Sequence, residues 1–263
     1  MAKALVKPNL TAGSLYSQSA RLIFKRHRSL IIQPILILIL SAALAITLSQ
    51  AHLDVIEKVT INKKFIFRAI QDHLILSFAS AAVILAVAVP SGILLTRRRY
   101  KKFTPIVLIL ANIGQAFPAV GVLIIAGILF GFGKPIAIFS FAAFGILPIL
   151  RNTIVGLQEI DPFIIESAMG MGMTPKQALR QIELPLAVPV ILAGVRTTLI
   201  LTVGVATLGV FVNGGGLGTL IIPGLKLNRE LVLVTGGMLT VIVAFTMDWL
   251  ARAAEELLRP RGI

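Results

Sequence analysis

Cysteine is absent from the 263 residues, so neither a disulfide framework nor a thiolate metal site is available. Histidine occurs three times, at His27, His52 and His73, never at the i, i+4 spacing of a helical metal site. No cofactor or metal is expected on this chain. Charged residues make up only 14%, gathered in clusters between long apolar runs. A G-x-x-x-x-G-K-[ST] phosphate loop is also missing: the run Gly214–Gly218 lacks the lysine and does not fit G-x-G-x-x-G. These glycines read instead as a tight, partly re-entrant turn between the last two apolar segments.

What is present is apolar. Hydrophobic residues make up 57% and mean hydropathy is +0.94, more than a soluble core needs. A helix crosses the hydrocarbon core with about 20 apolar residues. Six segments qualify: 30–49, 74–96, 103–130, 135–150, 189–210 and 231–250. The expected fold is an all-α membrane protein of about six transmembrane helices. The third segment is long enough to tilt or kink at Pro118, and the fourth is short. A net charge of +14 raises the question of nucleic acid. The basic residues flank membrane segments, however, which fits anionic lipid headgroups and not a nucleic-acid partner.

Lysine and arginine also set the orientation. With the N-terminus inside, 17 fall on the inner side, among them Arg97, Arg98, Arg99, Lys101 and Lys102, and seven on the outer side. The positive-inside rule then puts both termini in the cytoplasm. The division expected is a basic N-terminal tail over 1–29, a first span with an outer loop over 30–72, a five-helix core over 73–251 holding a cytoplasmic loop at 159–186, and a tail over 252–263. Ala43-Leu44-Ala45 resembles a signal-peptide cleavage site, but the basic region before the apolar run is 28 residues long and that run is about 20, against cleavage.

Apart from Arg196, no ionisable residue lies deep in an expected span; Glu230 and Asp248 fall near the ends of the last one. Ion-coupled transporters generally need buried ionisable groups, although sodium can be held by backbone carbonyls. Energy for transport is therefore expected from a partner.

The loop between the fourth and fifth segments has two helix starts. Asp161 is placed as an N-cap before Pro162, with Gly172 able to close that helix in a left-handed conformation. Thr174 caps a second helix, Pro175 follows, Gln177 completes a capping box, and Pro185 is expected to end it. Met169, Met171 and Met173 lie near the turn, where soft side chains suit a socket that re-packs as a partner changes shape. A re-entrant linker whose methionines touch only lipid accounts for the same residues.

The loop resembles the signature of type I ABC-importer permeases, Glu-Ala-Ala, three residues, Gly, nine residues, then Ile-x-Leu-Pro. It stands here as Glu166-Ser167-Ala168, Gly172 and Ile182-Glu183-Leu184-Pro185, both spacings kept, with Ser167 the one departure. The resemblance implies that this loop, including Met173, Thr174 and Arg180, sits in a groove on a cytoplasmic ABC ATPase and passes nucleotide-driven closure to the spans. It covers roughly residues 70–250. Asn112–Val120, Leu147–Thr153 and Leu192–Thr197 look like the osmoprotectant branch, which imports glycine betaine, choline, carnitine and similar quaternary amines. So do Gly170–Met173 and the Gly214–Gly218 run.

The resemblance further implies ATP and Mg on a partner ATPase dimer, a second permease copy or homologue, and an extracytoplasmic substrate-binding protein. Quaternary amines are usually held in aromatic cages. Trp249, Tyr16 and Tyr100 all fall near the cytoplasmic side, so substrate selection is expected on the binding protein. Asn112, Gln115, Phe117 and Pro118 are candidates for lining the translocation path, or else make hydrogen bonds between helices. Three classes remain in view: a permease for an osmoprotectant, an amino acid or another small solute; an ion-coupled secondary transporter; and a membrane enzyme, for which no acid, base or ligand cluster is found.

Overall fold

The computed structural model describes residues 12–258, with side chains from 30 to 257. The outermost parts of both expected tails, with Lys3, Lys7, Arg259 and Arg261, lie outside the described residues. Among the described residues every regular element is helical. Five helices are long and apolar enough to cross a membrane, or six if one bent pair counts as a span.

The first helix, α1 (Ala12–Gln50), is continuous through most of the expected N-terminal tail. Its apolar part packs on α11 (Glu230–Leu258), where the Trp249 indole donates to the Leu30 carbonyl at 3.0 Å. A short helix, α2 (Val55–Thr60), follows Asp54, whose carboxylate accepts the Glu57 amide and pairs with Arg229. That amide and the Arg229 charge hold the Asp54 carboxyl below the ordinary carboxylate range. Helix α3 (Lys63–Thr96) starts earlier than expected, so Arg68, Asp72 and His73 ride on its first turns and not in a loop.

The centre is built from α3, α6 (Lys134–Gln158) and α9 (Leu184–Ala206). Ile84, Ala88, Ile149, Leu150 and Ile154 form one buried cluster there. Without a hydrophobic gain in lipid, such helices associate through close packing at small residues. A Cβ at Gly194 would sit 2.9 Å from Asn152 Cβ and 3.0 Å from the Pro148 carbonyl oxygen. The fourth segment is therefore no short helix: α6 runs 25 residues, and Pro148 is accommodated within it.

The third segment is no single rod. It comprises α4 (Thr104–Ala116) and α5 (Ala119–Phe130), set at 93°. Proline drives the residue before it out of the α region, and Phe117 accordingly has ψ 145° with Pro118 at ψ 115°. Two successive non-helical residues turn the expected kink into a corner.

After α7 (Pro162–Gly170) and α8 (Pro175–Ala178), Pro185 does not end the helix as expected. The chain passes through one π-helical stretch, Leu179–Glu183, straight into α9, giving a continuous helical segment over Pro175–Val212. Proline removes a backbone donor, and a π turn locally rearranges the ladder that would need it. The stretch Thr207–Val212 is a 3-10 helix, and α10 (Gly218–Lys226) then packs between it and α11.

Candidate functional site

Three regions carry the polar and exposed side chains that a membrane core would otherwise bury. The first is the loop below α6. Asp161 accepts the Phe163 amide at 2.9 Å, with Pro162 opening α7. The helix closes as a Schellman motif: Gly172 N–H donates to Met169 O at 3.0 Å and Met173 N–H to Ala168 O at 3.2 Å. Gly172 has φ +90°, where an L side chain is strained. Thr174 and Gln177 form the expected capping box.

Within this loop Ala168 and Ala178 are buried as the seam between its two helices, while Glu166, Ser167, Gly172, Thr174 and Arg180 are exposed. Met173, Ile182, Leu184 and Pro185 are half-buried. Phe163 and Met171 are 72% and 74% exposed, with Met169 beside them. Three exposed apolar side chains are thus carried on a rigid, twice-capped support. Phe163 escaped the sequence reading, although its place two residues after the Asp161 cap was a usable signal. Thr174→Ala is expected to loosen α8 by about 1 kcal/mol. Amide exchange over 174–178 should speed up while the spans stay protected; unchanged exchange would discount the cap.

The second region is the corner of α4 and α5. Gln115, Phe117 and Pro118 gather on the unburied side of the break, Phe117 being 57% exposed. Asn112 donates to Leu108 O in its own helix at 2.7 Å, so its amide does not serve a neighbouring helix in this chain. The four path candidates thus lie along the last turns of α4 and the break that follows it.

The third region, at the opposite end from the loop, joins the glycine turn to α3. Gly215 and Gly216 have φ +83° and +89°, and a Cβ at Gly215 would sit 2.7 Å from the Asp72 carboxylate. Asp72 pairs with Lys134 at 2.5 Å. The fully buried His73 accepts the Leu217 amide through Nδ1 at 3.4 Å. A cavity of about 390 Å3 opens here beside Phe65, Arg68, Asn213 and Thr219. Sequence reasoning saw the turn and missed these partners.

Arg196, Asp248, Arg252 and Glu255 compensate one another's charge. Arg196 donates to Glu255 at 3.0 Å and lies 3.7 Å from Asp248, which accepts from Arg252 at 2.9 Å and from Gln33 at 2.5 Å. Asp248, expected near a helix end, is in fact buried at 7% exposure. Trp249 is likewise committed to α1, and the Tyr100 ring lies under the Arg99 guanidinium at 5.5 Å. Among the described residues no group of three acidic, histidine or cysteine side chains could hold a metal.

Residues 88–260 match the family described as binding-protein-dependent transport system inner membrane component. The chain belongs to this family. It is the permease subunit of an ABC importer. The permease is 39% identical to the choline transport system permease protein OpuBB of Bacillus subtilis (strain 168) over 192 residues, 73% of this chain and 88% of that one. It is 41% identical to the osmoprotectant import permease protein OsmY of Salmonella typhimurium over 193 residues, 73% and 82% of the two chains. Its fold is similar to a chain of the MetNI methionine ABC transporter in an inward-facing conformation, with TM-score 0.64 and 24% identity over 76% of the permease and all of the neighbour. A bacterial alginate ABC transporter chain aligns over 95% of the permease and 96% of its own length, with TM-score 0.60 and 19% identity.

Proposed function

We propose that this permease forms half of the path by which a small quaternary-ammonium osmoprotectant, such as glycine betaine, choline or carnitine, enters the cell. The loop 159–186 is its coupling element, seated on a separate cytoplasmic ATPase that binds ATP and Mg. The observation that carries this reading is the exposure of the apolar Phe163, Met169 and Met171 side chains on a loop locked by two caps and a Schellman turn. Glu166, Ser167, Gly172, Thr174 and Arg180 frame those side chains, while Ala168, Ile182, Leu184 and Pro185 hold them to the spans. The substrate class is supported by relatives at 39% and 41% identity whose names specify choline and osmoprotectants.

The permease lies in the bacterial cytoplasmic membrane with both termini inside, its division following the expected 1–29, 30–72, 73–251 and 252–263. Its partners are an ATPase dimer, a second permease, an extracytoplasmic binding protein and membrane lipid. Asn112, Gln115, Phe117 and Pro118 line the path. The described tryptophan and the described tyrosine are engaged elsewhere, which supports selection by the binding protein and a weakly binding path.

The test is ATP-dependent uptake of labelled glycine betaine and choline in proteoliposomes holding permease, ATPase and binding protein. Gly172→Asp forces a side chain into φ +90° and puts a charge on the docking turn. Uptake is expected to fall about tenfold or more, given about 1–3 kcal/mol for such strain. Normal uptake by a folded variant would remove the coupling role. Uptake of neither amine by wild type, with ATPase activity answering another solute, would replace the substrate class.

A further inference from the structure

Glu183 occupies the open position of the Ile-x-Leu-Pro segment, yet it is 4% exposed and charged. Both its oxygens are taken by one guanidinium, Arg97 Nη1 to Oε1 at 3.1 Å and Nη2 to Oε2 at 2.5 Å. Arg97 caps the inner end of α3, and its Nε donates to the Ile93 carbonyl and to Thr96 Oγ1. A cavity of about 620 Å3 lies alongside, bordered by Lys101, Gln158 and Glu166 as well as the pair. Across this space α7 stands apart from the end of α3, whereas the π stretch is held to it by a two-pronged charged contact.

We propose that Arg97 and Glu183 are the positioning pair through which the coupling loop moves α3 during transport. The inference rests on the loop being the coupling element. An apolar pair of similar volume would pack this junction at least as stably, so a buried ion pair here is poorly explained by stability alone. A bidentate guanidinium–carboxylate contact fixes direction as well as distance, as a transmitting joint requires. The far end of α3 carries Asp72 and His73, which hold Lys134 and the glycine turn. One helix therefore connects the loop at one face to the turn at the other.

The experiment uses the reconstituted complex of permease, ATPase and binding protein, and reads glycine betaine moved per ATP hydrolysed. Where glycine betaine is not carried, it uses the solute that stimulates the ATPase. Glu183→Gln and Arg97→Gln are each expected to lower that ratio about fivefold or more, the span of ordinary coupling energies. The double variant should lower it no further, since either change breaks the same contact. Arg97→Lys, keeping charge without the fork, should fall between and serves if Glu183→Gln does not fold. A wild-type ratio in the single variants, even with a lower Tm, would make the pair merely structural and overturn the proposal. Losses that multiply in the double variant would also overturn it. If Gly172→Asp leaves the ratio intact, the loop reading itself fails; if Gly172→Asp uncouples and the Arg97 and Glu183 variants do not, only this inference fails.

Discussion

Gly218→Ala should yield little folded permease and uptake near background. A Cβ there would lie 1.8 Å from the Thr207 carbonyl oxygen and 2.8 Å from its carbon. Carbon and oxygen normally approach no closer than about 3.3 Å, so backbone must move against backbone by over an ångström. No side chain can rotate to relieve this, which puts the cost at or above the upper end of the roughly 1–3 kcal/mol typical of overpacking. The matched control is Gly204→Ala in α9, whose Cβ would meet nothing within 4 Å in the single chain. Monodispersity in detergent and Tm, measured on both, check the contrast. Equal behaviour of the two variants would mean that α10 does not press on the 3-10 stretch as described.

Asp248→Ala is expected to destabilise the permease by about 3 kcal/mol, at the low end for breaking a buried ion pair. The low end applies because Arg196 and Arg252 are 28% and 34% exposed and water screens part of the loss. Gln33 of α1 and Arg252 of α11 both donate to one oxygen of this carboxylate, and Arg196 of α9 stands 3.7 Å from the other. Its removal should therefore loosen α1 in particular, whose other polar tie in this region is the Trp249–Leu30 bond. Limited proteolysis between α1 and α2 should accelerate before the core unfolds. An unchanged Tm and cleavage rate would show that α1 is held by packing alone.

Much of this architecture could be read from residues. Apolar runs located the spans because lipid leaves backbone groups no partner outside a helix. Asp161, Gly172 and the Thr174–Gln177 box were legible because caps are local chemistry within four residues. The corner at Pro118 was half legible: proline announces a break, but its 93° angle depends on how α5 packs against α6. Pro185 misled for the converse reason, since a donorless residue looks like a stop until the preceding π stretch is known. Arg97 and Glu183, 86 residues apart, and Gln33 and Asp248, 215 apart, carry no periodic signal at all. Such pairs are fixed by tertiary packing, and sequence offered only the oddity of a charge near an apolar segment.

The π stretch has one more consequence. Along the segment from α8 into α9 the buried positions run Ala178, Glu183, Ala187, Ile191, Gly194 and Thr198. Their steps are five, then four, four, three and four; the five falls across the π turn. An α-helix turns about 100° per residue, so one extra residue resets the bearing of everything beyond it by that amount. The portion in the loop and the portion in the bundle therefore obey separate rotational phases on a single rod. Sequence drift that re-aims the loop's exposed face need not disturb the packing stripe of the bundle, and the two surfaces can change independently.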